Sequence, residues 1–262
     1  MYSRCALGVL AATLALVGGC GGMQRPEIRA VRPLVTGIDL QGVDLTFEVD
    51  IHNPYPLAIR APRFDYGIDI EEREFLRSQA PVEIDVPAGR VGTARLPVRV
   101  EYLRVWQAYR SLADTAEVPY RLRGTVPITA LGQTYELPLA HEGKLPTFRL
   151  PQIELEDIDF SEVSVSSARA MVKAKVRNPN AFALGARGLG YALLLGDTPV
   201  GSLTAATPGT IQAGGTGELR LSGEVTGRSV LARVLQGGGW RDARIAPTGT
   251  VETPFGPVRL GQ

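Results

Sequence analysis

The chain has 262 residues, of which 44% are hydrophobic and 21% are charged, and such proportions are typical of a folded globular protein. Its 28 Lys and Arg against 27 Asp and Glu give a formal net charge of +1, which excludes a strongly basic surface for nucleic acid. Two cysteines and two histidines leave few side chains for metal, cofactor or nucleophile chemistry, so no cofactor is expected. The 30 glycines and 19 prolines favour short strands joined by turns.

The first residues have the pattern of a secretion signal. Arg4 precedes an apolar run over residues 6–17, and the small residues Gly18 and Gly19 follow it. The run is shorter than the ~20 residues that a helix needs to cross a bilayer. Residues 1–19 are therefore predicted to be a signal peptide. One alternative is that these residues are an ordinary signal peptide and that the cysteine that follows them is incidental.

The segment Val-Gly-Gly-Cys at residues 17–20 resembles the lipobox of bacterial lipoproteins, in which the cysteine is acylated and becomes the first residue. The resemblance implies lipidation of Cys20, a tether over residues 20–25 and attachment of the mature protein to a membrane. Gly21 stands where the family's sorting rule places Asp for inner-membrane retention. The implied location is therefore the cell envelope, at the outer membrane and facing the periplasm if the cell is Gram-negative.

An internal repeat with a spacing of 125 residues organises the rest of the chain. Asn53-Pro54 recurs at this spacing as Asn178-Pro179. The same spacing relates Tyr66 to Tyr191, Ala88-Gly89 to Ala213-Gly214, and Gly124-Thr125-Val126 to Gly249-Thr250-Val251. The repeat predicts two homologous domains, residues 26–150 and 151–262, that meet near Leu150-Pro151.

Alternating apolar residues predict half-buried strands in each domain. The predicted strands contain Leu45 to Ile51, Phe64 to Ile70, Val82 to Val86 and Leu96 to Val100, then Ala170 to Val176, Leu189 to Leu195, a weak set around Ile211, and Leu221 to Val225. Helical stretches are predicted over residues 103–114 and 228–236. About seven antiparallel strands and one short helix in each domain predict an all-β fold, a β-sandwich with Ig-like or fibronectin-III-like proportions.

The two Asn-Pro dipeptides are predicted to form corners between strands. Pro54 and Pro179 lack an amide hydrogen and disfavour helical conformation in the preceding residue, so a strand must end there. The side chains of Asn53 and Asn178 can then hydrogen-bond the backbone just beyond them.

This pattern is followed by an apolar-x-Tyr-x-apolar strand and by Ala-Gly, and it resembles the WHy domain of the late embryogenesis abundant type 2 (LEA14-like) family. The resemblance covers residues 35–140 and 160–260. It implies a seven-stranded β-sandwich with a helix, a link to desiccation and other water stress, and no catalytic residues. At residues 71–74 the sequence Glu-Glu-Arg-Glu departs from the glycine usual in this hairpin of the family.

Other chemically suggestive residues have simpler structural explanations. His52 and His141 lack a surrounding ligand cluster, and the glutamates of residues 71–74 are more typical of a solvated turn than of a calcium site. Gly237-Gly238-Gly239 is expected to end a helix, and no phosphate-binding Gly-Lys-Ser/Thr follows it. Trp106 and Tyr109 are expected to pack a helix on a sheet. The sequence predicts no catalytic or metal site.

Three functions remain as hypotheses. The leading one is a non-enzymatic envelope lipoprotein whose tandem domains protect membranes or client proteins during water loss. The second is a module that binds a lipid or another apolar ligand, for which a cavity between the two sheets is expected. The third is a structural adaptor that docks another envelope protein through a strand edge or the domain junction.

Overall fold

A computed structural model describes residues 24–130, 132–164, 166–186, 189–205, 209–227 and 243–260. The strands of the first domain are β1 (Glu27–Ile38), β2 (Gly42–His52), β3 (Ile59–Ile70), β4 (Arg73–Val86), β5 (Val91–Glu101), β6 (Glu117–Ala130) and β7 (Gln133–Pro146). Helix α1 (Tyr102–Ala108) and a 3-10 turn (Arg110–Leu112) connect β5 to β6. The strands of the second domain are β8 (Gln152–Ser161), β9 (Ser167–Arg177), β10 (Leu184–Gly185), β11 (Leu189–Leu195), β12 (Thr198–Ala205), β13 (Thr210–Ile211), β14 (Thr216–Thr226), β15 (Ala243–Thr253) and β16 (Gly256–Leu260).

The first domain is a sandwich of two antiparallel sheets. One sheet has the order β1-β2-β5 and the other has the order β4-β3-β6-β7. The apolar columns predicted from the sequence point into the space between them, because alternate residues of a strand face the same side. The large side chains that are fully buried there are Phe47, Ile51, Phe64, Ile68, Ile70, Leu96, Leu122 and Ile128. The predicted all-β class and tandem arrangement are confirmed.

The spacing of 125 residues holds for the first five strands of the repeat. The bounds of β9 lie 125 residues after those of β2, and the bounds of β14 lie 125 residues after those of β5. Likewise, β10 and β11 together cover the positions equivalent to β3, and β12 and β13 cover those equivalent to β4. The two domains therefore share their strand arrangement as well as their sequence pattern.

The final hairpin departs from this spacing. Gly124 pairs with Tyr66 in the first domain, whereas Pro247 pairs with Tyr191 in the second. The match of Gly124-Thr125-Val126 to residues 249–251 is therefore wrong as a structural equivalence, since β15 is displaced by two residues. A displacement by two residues keeps the same side chains facing inward, and Val251 is accordingly fully buried.

The second domain also differs at one edge, where β12 pairs with both β11 and β14 and joins the two sheets. A Cβ atom at Gly223 would lie only 2.0 Å from the carbonyl oxygen of Ser202, so glycine permits the close approach of these backbones. The equivalent position in the first domain is Val98, and there β4 and β5 lie in separate sheets.

Helix α1 is shorter than the predicted 103–114. It ends at Ala108, where Tyr109 leaves helical conformation, and a separate 3-10 turn follows. The predicted second helix at 228–236 and the glycines at 237–239 lie outside the described residues. Within the described ranges, the structure has no helix that is both long and apolar enough to span a membrane.

The β3–β4 hairpin turn forms without glycine. Glu71 and Glu72 both have positive φ, at 48° and 62°, as a two-residue type I′ turn requires. Such angles are unfavourable for residues with a Cβ atom. At the equivalent turn of the second domain Gly196 takes a φ of 62°, as glycine does easily.

We expect Glu72→Gly to stabilise the first domain by about 1 kcal/mol, because it relieves the left-handed strain of one residue. Glu71 stays unchanged, since its carboxylate accepts a hydrogen bond from Ser111 Oγ at 3.1 Å. Urea unfolding of the full chain measures the effect. Gly196→Ala, at the position equivalent to Glu71, introduces the same left-handed strain in the second domain and should destabilise it. A Glu72→Gly chain less stable than the parent contradicts the strain.

We expect Gly223→Ala to destabilise the second domain by about 2 kcal/mol, because the added methyl group pushes β12 away from β14. Urea unfolding measures the loss, and amide hydrogen exchange shows whether Ser202 loses protection. Gly209→Ala is the control, since a Cβ at Gly209 has no atom within 4 Å. Equal stability of the two variants would show that close backbone approach is not what requires glycine.

Candidate functional site

The two Asn-Pro corners lie at the same place in each domain, where the chain leaves one sheet for the other. Asn53 follows β2 and precedes β3, and Asn178 follows β9 and precedes β10. Both asparagines are fully buried, which is unusual for this residue type. A buried amide must find its hydrogen-bond partners within the protein or lose free energy, so the geometry of each corner is strongly constrained.

The side chain of Asn53 joins two backbone segments, residues 55–57 of its own corner and residues 86–87 at the end of β4. Its Nδ2 donates to the carbonyl oxygens of Leu57 at 2.8 Å, Val86 at 3.0 Å and Pro87 at 3.1 Å. Its Oδ1 accepts from the backbone N–H of Tyr55 at 2.9 Å. The residue therefore closes its own corner and ties it to the turn between β4 and β5.

Asn178 makes the same set of hydrogen bonds in the second domain. Its Nδ2 donates to the carbonyl oxygens of Phe182 at 2.7 Å, Ile211 at 3.2 Å and Gln212 at 3.0 Å. Its Oδ1 accepts from the backbone N–H of Asn180 at 3.0 Å. Each of these partners lies 125 residues after its equivalent in the first domain, so the corner is duplicated bond for bond.

The residue after each Pro distinguishes the two corners. In the first domain it is Tyr55, whose ring lies 6.4 Å from that of Tyr135. In the second it is the buried Asn180, whose Oδ1 accepts from the N–H of Arg149 at 2.7 Å and whose Nδ2 donates to the carbonyl oxygen of Arg149 at 2.9 Å. Asn180 thus pairs with the linker between the domains as a neighbouring strand would.

One sequence feature indicates the role of Asn180, although the prediction made from the Asn-Pro pattern did not include this residue. A second asparagine directly after Asn178-Pro179 replaces the aromatic residue of the first corner. An additional buried amide beside an existing hydrogen-bonded corner indicates an additional backbone partner. The partner is the chain that enters the second domain just before Pro151.

Aromatic rings complete the domain junction. Phe182 lies 6.4 Å from Phe148, at the end of the first domain, and 5.3 Å from Phe255, in the β15–β16 turn. The linker is also tied to the first domain, because Tyr102 Oη donates to the carbonyl oxygen of Pro146 at 3.1 Å and accepts from the N–H of Phe148 at 3.2 Å. The linker therefore has polar and apolar partners on both domains.

The outer face of the β1-β2-β5 sheet is covered by paired charges. The Asp50 carboxylate accepts from Arg32 at 2.5 and 3.0 Å and from Thr93 Oγ1 at 2.7 Å. The hydrogen bond from Arg32, and then that from Thr93, hold the pKa of Asp50 below its usual range. Since the folded state favours the ionised form, the stabilisation is present above the unfolded-state pKa and is lost as the pH falls.

A groove of about 610 Å³ lies on the outer face of the β4-β3-β6-β7 sheet. Gly67 lies on its floor between Arg77 and Arg123. Both arginines donate to Glu74, at 2.8 and 3.0 Å. The groove is thus charged and lies outside the sandwich, unlike the apolar cavity between sheets that the lipid-binding hypothesis expects.

The other candidate residues have structural surroundings. His52 Nδ1 lies 3.9 Å from the Glu27 carboxylate, and the His141 ring lies 6.2 Å from that of Phe47. Trp106 stacks on Tyr102 at 5.6 Å. Among the described residues, no group of three or more His, Cys, Asp and Glu side chains could hold a metal ion. Cys20 lies outside the described ranges.

Comparisons with known proteins detect the same repeat. A model of the late embryogenesis abundant protein family matches residues 48–143 and 173–259, one segment in each domain. A crystal structure of a protein from Archaeoglobus fulgidus is similar over 47% of this chain and 100% of its own, at 11% identity and a TM-score of 0.39. A solution structure of an Arabidopsis thaliana protein is similar over 48% of this chain and 82% of its own, at 19% identity and a TM-score of 0.36. No curated protein sequence matches the chain.

We expect Asn53→Ala to lower the free energy of unfolding of the first domain by about 3 kcal/mol, because it removes the side-chain hydrogen bonds to three carbonyl groups and to the N–H of Tyr55 at a buried position. Asn178→Ala should have the same effect on the second domain. Urea unfolding of the full chain, with amide exchange to assign each transition, measures both losses.

An Asn53→Asp variant sharpens this test, since a carboxylate can accept from Tyr55 but cannot donate to carbonyl groups. It should be at least as unstable as Asn53→Ala at neutral pH and should partly recover in acid, where the carboxyl group is protonated. Gln79→Ala, at an exposed position of β4, is the control. Stability of Asn53→Ala equal to that of this control would mean that the corner is dispensable.

Proposed function

Because the chain belongs to the late embryogenesis abundant protein family, we propose that it is a non-enzymatic envelope lipoprotein that protects neighbouring membrane or protein during water loss. The single observation that supports this most strongly is the family match in both domains, at residues 48–143 and 173–259. The repeated Asn corner supports the same assignment, since each matched segment contains one Asn-Pro corner.

The geometry suggests how such domains remain folded as water is lost. The buried amides of Asn53 and Asn178 take their partners from the protein backbone and need no bound water. Pairs of arginine and carboxylate cover the outer face of one sheet, as in the Arg32–Asp50 pair. A domain whose corner amides are satisfied by its own backbone can keep its shape, and its charged surface can then keep neighbouring molecules apart.

The proposed membrane attachment rests on the lipobox resemblance at residues 17–20. Acylation of Cys20 with two or three chains would hold the protein durably, since each buried CH₂ group contributes ~0.8 kcal/mol. Gly21 in place of Asp favours the outer membrane in a Gram-negative cell. The partners of the protein would then be the membrane itself and proteins or lipids close to it.

The stress role is tested by deleting the gene and measuring survival after drying, freezing and salt shock. We expect survival to fall and to be restored by the parent gene. A Cys20→Ser gene should restore less, because the secreted domains are no longer held at the membrane. A deletion strain that survives all three treatments like its parent would contradict the protective role.

The anchor is tested separately by mass spectrometry of protein released gently from its own membrane. We expect acyl chains on Cys20 at the N-terminus and no residues 1–19. The same spectra report any co-purifying lipid, which is the result that the apolar-ligand hypothesis requires. An uncleaved or unacylated N-terminus would remove the lipoprotein assignment and leave the family assignment intact.

A further inference from the structure

The chain enters the first domain at the end where its Asn-Pro corner lies. Glu27, at the start of β1, pairs with His52, the last residue before the corner. Val91, after the β4–β5 turn, pairs with the same His52. The corner, this turn and the entering chain therefore meet at one end of the sandwich. We call this end the entry tip and define it by Arg25, residues 54–57 and residues 87–91.

The equivalent end of the second domain is covered by protein. Phe182 occupies the position of Leu57 there and is only 7% exposed, because Phe148 and Phe255 pack around it. The linker residue Arg149 lies across the same end, held by Asn180. The equivalent tip of the second domain is thus a contact surface, and the chain segment that precedes this domain packs against it.

The entry tip of the first domain has no such cover among the described residues. Leu57 is 60% exposed and Val91 is 43% exposed. Pro56, which directly precedes Leu57, is exposed as well. The exposed side chains of Arg25 and Arg90 belong to the same tip. Two carboxylates lie beside the tip, and both are paired: Glu27 with Arg29 at 3.3 Å and Asp85 with Arg60 at 2.9 Å. The tip therefore combines apolar side chains with positive charge.

What precedes the first domain is a short tether to Cys20. Pro26 is buried at the tip, and the five residues 21–25 can span at most ~17 Å when fully extended. An acylated Cys20 would lie in the headgroup region of a bilayer, so the bilayer surface would be within that distance of the tip. Leu103 is as exposed as Leu57, at 62%, but it follows β5 at the opposite end of the domain.

We propose that the entry tip docks on the bilayer surface, with Leu57 and Val91 in the interface and Arg25 and Arg90 at anionic headgroups. This proposal rests on the membrane attachment of the proposed function. Apolar side chains flanked by arginine are suited to this interface, because the apolar groups leave water while the cations meet phosphate. Docking would place the second domain farther from the membrane, because the linker leaves the first domain beside Tyr102, at the end opposite the entry tip.

The test uses the mature chain, residues 20–262, in which Cys20 is the only cysteine. Cys20 is coupled to a maleimide-headgroup lipid in nanodiscs of phosphatidylethanolamine and phosphatidylglycerol that contain a nitroxide-headgroup lipid. Methyl NMR then reports which Leu and Val side chains lie close to the nitroxide. We expect loss of the Leu57 and Val91 methyl signals, while the equally exposed Leu103 keeps its signal.

Substitutions separate docking from mere tethering. Arg25→Glu combined with Arg90→Glu should restore the Leu57 signal, because the entry tip would then repel anionic headgroups. Arg104→Glu, an exposed position of α1, is the matched control and should leave the Leu57 signal lost. Raising the salt concentration should act in the same direction as the double substitution.

Two results would overturn the proposal. A Leu57 signal that persists, or that weakens only as much as that of Leu103, would show that the tip stays in water. A change at Leu57 that depends on protein concentration and is independent of the nitroxide would show that a second copy covers the tip. Since the maleimide lipid replaces acylation, failure of Cys20 lipidation in cells leaves this measurement unaffected, and the two proposals can fail separately.

Discussion

The structure depends on a buried asparagine that hydrogen-bonds two backbone segments at each corner. Without Asn53 or Asn178, the carbonyl group of Leu57 or Phe182 and the N–H two residues after the asparagine would lose their hydrogen-bond partner. Burying such groups unpaired costs free energy comparable to several favourable contacts. The following proline ends the strand at the required place, and the asparagine fixes the direction in which the chain continues. The corner and the turn between β4 and β5 are held together by this arrangement.

Duplication of this corner made two ends that are equivalent in the backbone and different in their surroundings. Where the second corner has Asn180 and Phe182, the first has Tyr55 and Leu57. The former pair contacts the chain that leaves the preceding domain, through hydrogen bonds to Arg149 and a ring contact with Phe148. The junction is therefore built from side chains next to the hydrogen-bond set that both corners share. The latter pair faces the tether. The same fold position thus serves as a domain contact in one copy and, in the account proposed above, as a membrane contact in the other.

Much of the fold is predictable from the sequence because most of the sequence patterns occur twice, once in each domain. The apolar alternation from Phe64 to Ile70 recurs 125 residues later and identifies strands and their inner faces. The Asn-Pro dipeptides identify where the preceding strands end. The β12–β14 pairing was not predictable, since it depends on whether Gly223 lets two backbones approach, which no periodicity reveals. The two-residue displacement of β15 was also hidden, because it keeps the inward face and so leaves the alternation unchanged. The predicted helix over residues 103–114 is too long because residues 109–114 retain the apolar spacing of a helix. In the structure, Tyr109 has left helical conformation and α1 ends at Ala108.

The most direct measurement is solvent exchange of the side-chain amide protons, observed by NMR on the full chain. If the corners are the shared constraint, the Nδ2 protons of Asn53 and Asn178 will exchange far more slowly than the Nε2 protons of the exposed Gln152, because the asparagine amides are buried and bonded to carbonyl groups. Protection of both asparagines would support the account. Exchange at Asn53 and Asn178 as fast as at Gln152 would contradict it, since the corners would then be open to water.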